Sequence, residues 1–453
     1  MPNSPRRPEG GVAEMSTAAP VLTLSPTSAP EPGWLASLRA EGRAAFAAKG
    51  WPTPKTEAWK YTNLAPLAKL AFKPSEPVAN GVRATALPWL LPESDKAHRL
   101  VFVNGLLRPD LSAIGRLPAG VELDGLAATL AVHPERVESR LGKLGTVAEQ
   151  PLLALNTASL QDGFVLRIGR GVALETPVEL LFISLPGAEP LSYHPRGLVL
   201  AEAGSRALLV EHHVRLGEGT AVGKGASFAN LALEIDLEEG AALEHYKLQA
   251  EGPEAFHIAT NLVRVGRAAR YESFVLAQGG ALGRNEVALT LAGEGASCRL
   301  DIAYMGRDRQ LIDNTGFVDH AVPNTKSRQT CKGVLDDRAR GVFQGRVLVR
   351  PGAQKTDAHQ INRALLLAPG AEIDSKPQLE IHADDVKCGH GAAAGDLDAE
   401  AMFYLRSRAI PEAEARRILT AAFLSDAIDA IGHEALRESF RAAVLRWTER
   451  AGT

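Results

Sequence analysis

A period of two, running from about residue 156 to 395 with almost no helical pattern between its repeats, constrains this chain more than any other feature. Runs such as FVLRI, VELLFI, RALLVEHHV, ALEIDL, YESFVLA, EVALTL, RLDIAYM and GRVLVR alternate apolar and polar residues. That is how a strand with one face against a core reads. Doubly wound α/β folds need a helix between successive parallel strands, so they are poor candidates. Small corners recur between the runs: Ala203-Gly204, Glu239-Gly240-Ala241, Val265-Gly266, Glu294-Gly295-Ala296, Pro351-Gly352-Ala353 and Pro369-Gly370-Ala371. An irregular alternation of corner and strand suits a β-solenoid, in which each coil stacks on the last. A β-sandwich with glycine turns would give the same pattern.

The flanks read differently. Residues 1–33 are rich in Pro, Ala, Ser and Thr and are expected to be a disordered tail. Arg6-Arg7 is trailed by no apolar stretch and so is not a twin-arginine signal, while Met15 offers an alternative start. Residues 34–155 look mixed and partly helical. Leu35, Leu38 and Phe46 fall at helical offsets before a capping Gly50, prolines 52, 54 and 66 break the adjoining stretch, and Asn104-Gly105 predicts a hairpin turn. After residue 395 the helical period returns. Asp396 and Asp398 are candidate N-caps, and Pro411 suits a helix start. An apolar face of Ile418, Leu419, Ala422, Phe423, Ala427 and Ile431 is continued by Leu436, Phe440, Val444 and Trp447. It is expected to pack within the chain, with a partner surface as the other use. The division is therefore a tail (1–33), an N-terminal mixed helical domain (34–155), a β core (156–395) and a C-terminal helical domain (396–453).

Several functions are disfavoured early. A net charge of −3 and 5% aromatic residues give no case for nucleic-acid binding. No apolar run approaches the ~20 residues that cross a bilayer. The 3 cysteines, Cys298, Cys331 and Cys388, are too widely spaced for a disulfide framework, which fits a reducing, cytoplasmic compartment. Cys298 and Cys331 sit in strand-like runs and read as small hydrophobes. The loop GEGTAVGKGAS has Glu218 where a phosphate loop needs its first glycine, and Gly225 comes after Lys224 where Ser or Thr is required. No GxGxxG is present, so no nucleotide site is expected. His212 and His213 are strand neighbours and face opposite ways, so they cannot chelate one ion side by side. His245, His257, His320, His359 and His382 are scattered, and Ser192, His194 and Asp236 form no nucleophile elbow.

Cys388 and His390 stand apart, set two residues from each other in a glycine-rich stretch expected to be a turn at the end of the β region. A thiolate binds metal or sulfur and would be favoured by neighbours such as Lys387, and imidazole suits iron. Two donors cannot hold a metal alone. If they coordinate, the missing ligands come from another chain. The same residues also read as a purely structural turn.

The segment ADDVKCGHGAAAGDLDAEAMFYLRSRAI, from Ala383, closely resembles the C-terminal signature of the SufD branch of the SufB/SufD family of iron–sulfur cluster assembly proteins. TEAWKYTNL, VFVNGLLRPDLS, LLALNTASLQDGFVLRI and, most specifically, the block from His320 to the KCGHG sequence resemble further family segments. The paralogue SufB's cysteine-rich signature and His-Glu-Ala turn are absent. The resemblance implies a right-handed parallel β-helix (β-solenoid) core flanked by helical domains. It implies a non-catalytic scaffold of the SUF system that pairs with SufB and docks the SufC ABC-type ATPase through its C-terminal helices, about 402–431. It implies transient iron or an iron–sulfur cluster at the shared interface, with Cys388 and His390 as this chain's ligands and His390 as the metal ligand. No permanently bound cofactor is implied, and a homodimer is the alternative assembly when the paralogue is missing. Gly389 stands where many relatives carry Ser, and Ala409 where they often carry Gly. Set against this is a β-solenoid enzyme, such as a carbohydrate lyase or an acyltransferase, which would need a groove of clustered acids that the sequence does not display.

Overall fold

The computed structural model describes residues 31–78, 82–83, 87–92, 96–185, 187–216 and 225–449. Met15, Arg6-Arg7, nearly all of the expected tail and the loop 217–224 lie outside the described residues. The first described residues are tied down: the Glu31 carboxylate pairs with Arg39 at 2.9 Å, and a helix starts at Gly33.

The period-two region is a parallel β-solenoid of about seven turns. The topology excludes the sandwich. From the strand Arg196–Ala201 onward, each strand pairs in parallel with the strand two further along the chain and not with its immediate successor. Thus Ser227–Leu237 pairs with Ala255–Val265, and Ala242–Ala250 with Arg270–Ala277. Successive strands therefore alternate between two facing sheets, and their inward side chains stack into one long core running from Leu100 and Phe182 to Val349 and Ala358. The antiparallel pairs sit at the N-terminal end. One is the hairpin His98–Val103 with Leu106–Leu107, where Asn104 and Gly105 take the left-handed conformations of a tight two-residue turn.

The corners explain why the repeat is irregular in sequence. Many of the corners place a residue at positive φ, and Gly204, Gly240, Gly295 and Gly352 supply it at some of them. Ala268, Asp308, Asn324, Asp337 and Lys355 take the same conformation at other corners. The recurring property is a backbone angle, and only part of the corners advertise it as glycine.

Helices cover the outer faces of both sheets. Trp59, Leu64, Leu67 and Phe72 pack with Phe228, Ile258 and Leu282 on one sheet. Phe440 meets Phe274 edge-on at 5.0 Å on the other, together with Leu424, Ile428, Ile431, Leu436, Val444 and Trp447. Strands buried on both faces lose their clean alternation, as Ser227–Leu237 shows. The C-terminal helix Glu412–Ile428 corrects one expectation. It buries Ala415, Leu424, Ala427 and Ile428, whereas Ile418 and Ala422 of the predicted stripe are exposed. The helix lies against both the sheet and the helix Glu434–Glu449, and that double contact rotates its buried face. Asp398 caps the helix Ala399–Ser407 through the amides of Glu400 and Ala401, as its position predicts.

Two buried histidines give the fold a pH dependence. His194 is wholly enclosed and accepts a hydrogen bond from Asn230, and His320 lies between Thr325 and Ser327. Burial holds His194 down to about 3 and His320 down to about 4. Below the ~6.5 of a free imidazole, the unfolded chain binds protons that the folded chain refuses, so stability falls with pH. The loss reaches about 1.4 kcal/mol per pH unit per histidine until the folded-state value is passed. The urea midpoint is expected to drop between pH 6.5 and 4.5, and to drop less in His194→Asn. Equal midpoints across that range would contradict this.

Candidate functional site

The last two strands, Glu372–Ile381 and Lys387–Gly395, end their respective sheets and are largely exposed along their length. Among the described residues no further coil covers them. Cys388 and His390 lie in the final strand, so the expected glycine turn is instead extended backbone paired with Asp357–Leu366. Being two residues apart in a strand, they share a face. Cys388 sits in register over Ala358 and packs against the solenoid core, half-buried. His390 sits over Gln360 and is exposed. Together they form part of the rim of the solenoid's open end.

Gln360 is 1% exposed, and neither its Nε2 nor its Oε1 has a hydrogen-bond partner among the described residues. Gln329, one coil deeper in the same register column, likewise leaves Nε2 unpartnered. Polar amides thus floor the rim below His390.

The expected activation of Cys388 by Lys387 is not found. Burial pushes the Cys388 thiol up, the Asp357 carboxylate pushes it further, and a backbone hydrogen bond with Ala358 offsets only part of this. Lys387 is the strand neighbour of Cys388, so its side chain leaves from the other face. Its surroundings therefore favour the thiol over the thiolate. Gly389 leaves room for a larger residue, since an added Cβ would meet only the His359 ring at 3.5 Å. The remainder of the strand is small (Gly391, Ala392, Ala393, Ala394, Gly395), which lets another backbone approach closely.

A second exposed feature lies directly after the strand. The helix Ala399–Ser407 buries none of its residues, and Phe403 is 76% and Tyr404 54% exposed. Arg408 lies over the Tyr404 ring at 4.5 Å. Beyond the helix, Ala409 sits at φ 63°, a conformation that costs a residue with a Cβ about 1–2 kcal/mol. Glycine, which carries no Cβ, fits this position best. Ala409→Gly is expected to raise the thermal stability of this segment by up to about 1 kcal/mol, read by amide exchange across residues 399–428. Unchanged protection would count against the strain.

The N-terminal TEAWKYTNL segment reaches the same end of the solenoid. Trp59 stacks under the Arg284 guanidinium at 4.0 Å, Thr62 donates to Asp313, the carbonyl of Ala58 accepts from Gln344, and Glu57 pairs with Lys376.

Other residues singled out from the sequence separate as that reading expects or gather where it gave no hint. Cys298 and Cys331 are enclosed, and burial pushes the Cys298 thiol up to about 12. His212 and His213 do face apart: His212 bonds the carbonyl of Pro88, and His213 stacks on Phe182 at 4.6 Å. Asp236 pairs with Arg140 and Arg264 and does not meet His194. His257, however, joins His213, His245, Glu211, Lys247 and Glu251 in one buried polar cluster. The signal was present as polar residues at alternate positions of EHHV and EHYKLQAEG, but only strand register brings these runs together.

Residues 184–423 match the family model described as SUF system FeS cluster assembly, SufBD core domain, and residues 28–180 match the SufBD protein N-terminal region. The chain is 32% identical over 395 residues to an iron–sulfur cluster assembly SufBD family protein of Synechocystis sp., covering 87% of this chain and 86% of that protein. It is 31% identical over 397 residues to the iron–sulfur cluster assembly protein SufD of Escherichia coli, covering 87% and 89%. The corresponding protein of Bacillus subtilis is 27% identical over 437 residues, covering 92% and 94%.

Proposed function

This chain belongs to the SufBD family of iron–sulfur cluster assembly proteins, and we propose that within it the chain is the SufD-type scaffold subunit, without catalytic activity of its own. Its open solenoid end pairs with a SufB paralogue, and its C-terminal helices dock a SufC-type ATPase. The observation that carries this reading is the uncovered final strand, which presents Cys388 and His390 on one face beside a run of glycine and alanine. A free sheet edge of this length is a ready template for another chain. Pro377 in the neighbouring strand is tolerated there because that strand is also an edge.

Iron or a nascent cluster is cargo at that seam. Cys388 and His390 supply two donors, and the paralogue supplies the rest. A metal bound there would lower the Cys388 thiol pKa, so the half-buried thiol would need no base of its own. The ATPase engages residues 402–431, where Phe403 and Tyr404 form an aromatic anchor. The chain works in the cytoplasm, and among its described helices none is long and apolar enough to cross a membrane.

Co-expression with SufB- and SufC-type proteins, followed by size-exclusion chromatography and iron quantification, tests the assembly. A ternary complex is expected, and three separate peaks would refute the reading. Phe403→Ala is expected to weaken ATPase binding at least ~30-fold, about 2 kcal/mol, while the paralogue stays bound. Calorimetric titration with the ATPase measures it, and an unchanged Kd would remove the helix from the interface.

A further inference from the structure

We propose that His213, Glu251 and His257 form a binding site inside the solenoid for a single divalent cation of the zinc or iron(II) class, remote in sequence from the exposed rim residues. Their ligand atoms lie within 4.8 Å of one another, and all three residues are buried. Ligand atoms around a tetrahedral ion sit roughly 3.3 Å apart, so side-chain adjustments of about 1 Å would close the set. The two imidazoles already meet edge to face, with ring centres 4.8 Å apart. Two nitrogens and a carboxylate, with no thiolate, suit zinc or iron(II) and do not suit an iron–sulfur cluster.

The surroundings orient these donors as they do at built metal sites. Glu211 holds Nε2 of His213 at 2.7 Å, which leaves the other ring nitrogen for an ion. The same carboxylate holds His245 at 2.8 Å, and His245 in turn meets the Tyr271 hydroxyl at 2.9 Å. Gln249 donates to Glu251 Oε2 at 2.6 Å, while Glu251 Oε1 lies 2.8 Å from Nδ1 of His257. The two carboxylates outnumber the one ammonium, that of Lys247.

Lys247 occupies the cation's place when the ion is absent. Its Nζ lies 2.8 Å from Nε2 of His257 and feels both Glu211 and Glu251. Metal and ammonium therefore compete for one site.

The test uses the full-length chain grown in medium supplemented with zinc or with cobalt(II), desalted, and assayed by mass spectrometry for metal per chain. The background carries Cys388→Ser and His390→Ala, so that the exposed donors contribute nothing. About one equivalent of metal is expected, with a cobalt spectrum lacking thiolate charge transfer. Lys247→Met, which leaves every ligand in place, is expected to raise affinity for the metal, and Glu251→Gln to lower it at least ~10-fold. Metal-free protein in both the background and its Lys247→Met derivative would overturn the site, as would a thiolate band. Undiminished metal in a folded Glu251→Gln would overturn it too. If that variant does not fold, the Lys247→Met comparison decides.

Discussion

His390→Ala is expected to abolish iron–sulfur assembly on the co-purified complex while leaving the fold of this chain intact. The side chain is exposed on a terminal strand, and surface changes of this kind usually shift stability by no more than about 0.5 kcal/mol. Under the proposed function, loss of this donor acts on the cargo instead. Iron and sulfide retained by the complex should fall at least ~10-fold, with an unchanged melting temperature and an unchanged elution volume. Cys388→Ser should have a smaller effect, since Cys388 is half-buried against the solenoid core while His390 is exposed. Wild-type iron content in the His390→Ala complex would end the metal role of this rim. Loss of the complex itself would shift the role of His390 from coordination to assembly.

The second large effect lies in the fold. Glu234 is fully enclosed and holds two parts of the chain at once. It accepts from Arg196 at 2.7 Å, and from the amides of Gly142, Lys143 and Leu144 at 2.8 to 3.1 Å. Arg196 also reaches Asn156, whose amide binds the carbonyls of Pro195 and Asn230. Glu234→Ala strands a buried guanidinium and three amides. A loss of about 3–5 kcal/mol is expected, read as a lower urea midpoint with early exposure of the N-terminal helices. The double change Arg196→Met with Glu234→Leu should recover only the guanidinium's share of that loss, because it removes both partners of the buried pair but leaves the amides of Gly142, Lys143 and Leu144 without an acceptor. A Glu234→Ala chain as stable as wild type would show that the N-terminal region is held by apolar packing alone.

Much of the architecture was open to reading because each coil repeats a local rule. Strands announced themselves by alternation, the Asn104-Gly105 turn by its dipeptide, and the C-terminal helix start by Asp398. The corners were half legible, since Ala268 and Lys355 adopt the required backbone angle without the residue that usually signals it. The rim residues were legible as a pair, yet their setting was misread. A glycine-rich run looks like a turn until the preceding coil supplies hydrogen-bonding partners that hold it extended. The stripe of the helix Glu412–Ile428 was misplaced at Ile418 and Ala422 for a related reason, because two surfaces share its contacts, while Ala427 is buried as expected.

The one-dimensional order of residues determined the period of the strands, the absence of crossover helices, the caps and the family signature, because each depends on neighbours within a few positions. Only the folded chain decided which strands pair, and with them that Cys388 and His390 crown an open rim and that His213, Glu251 and His257 meet in one buried cluster. Those facts depend on register between segments tens of residues apart. Register is set by how whole coils bury their inward side chains together, a property that no short stretch of sequence carries.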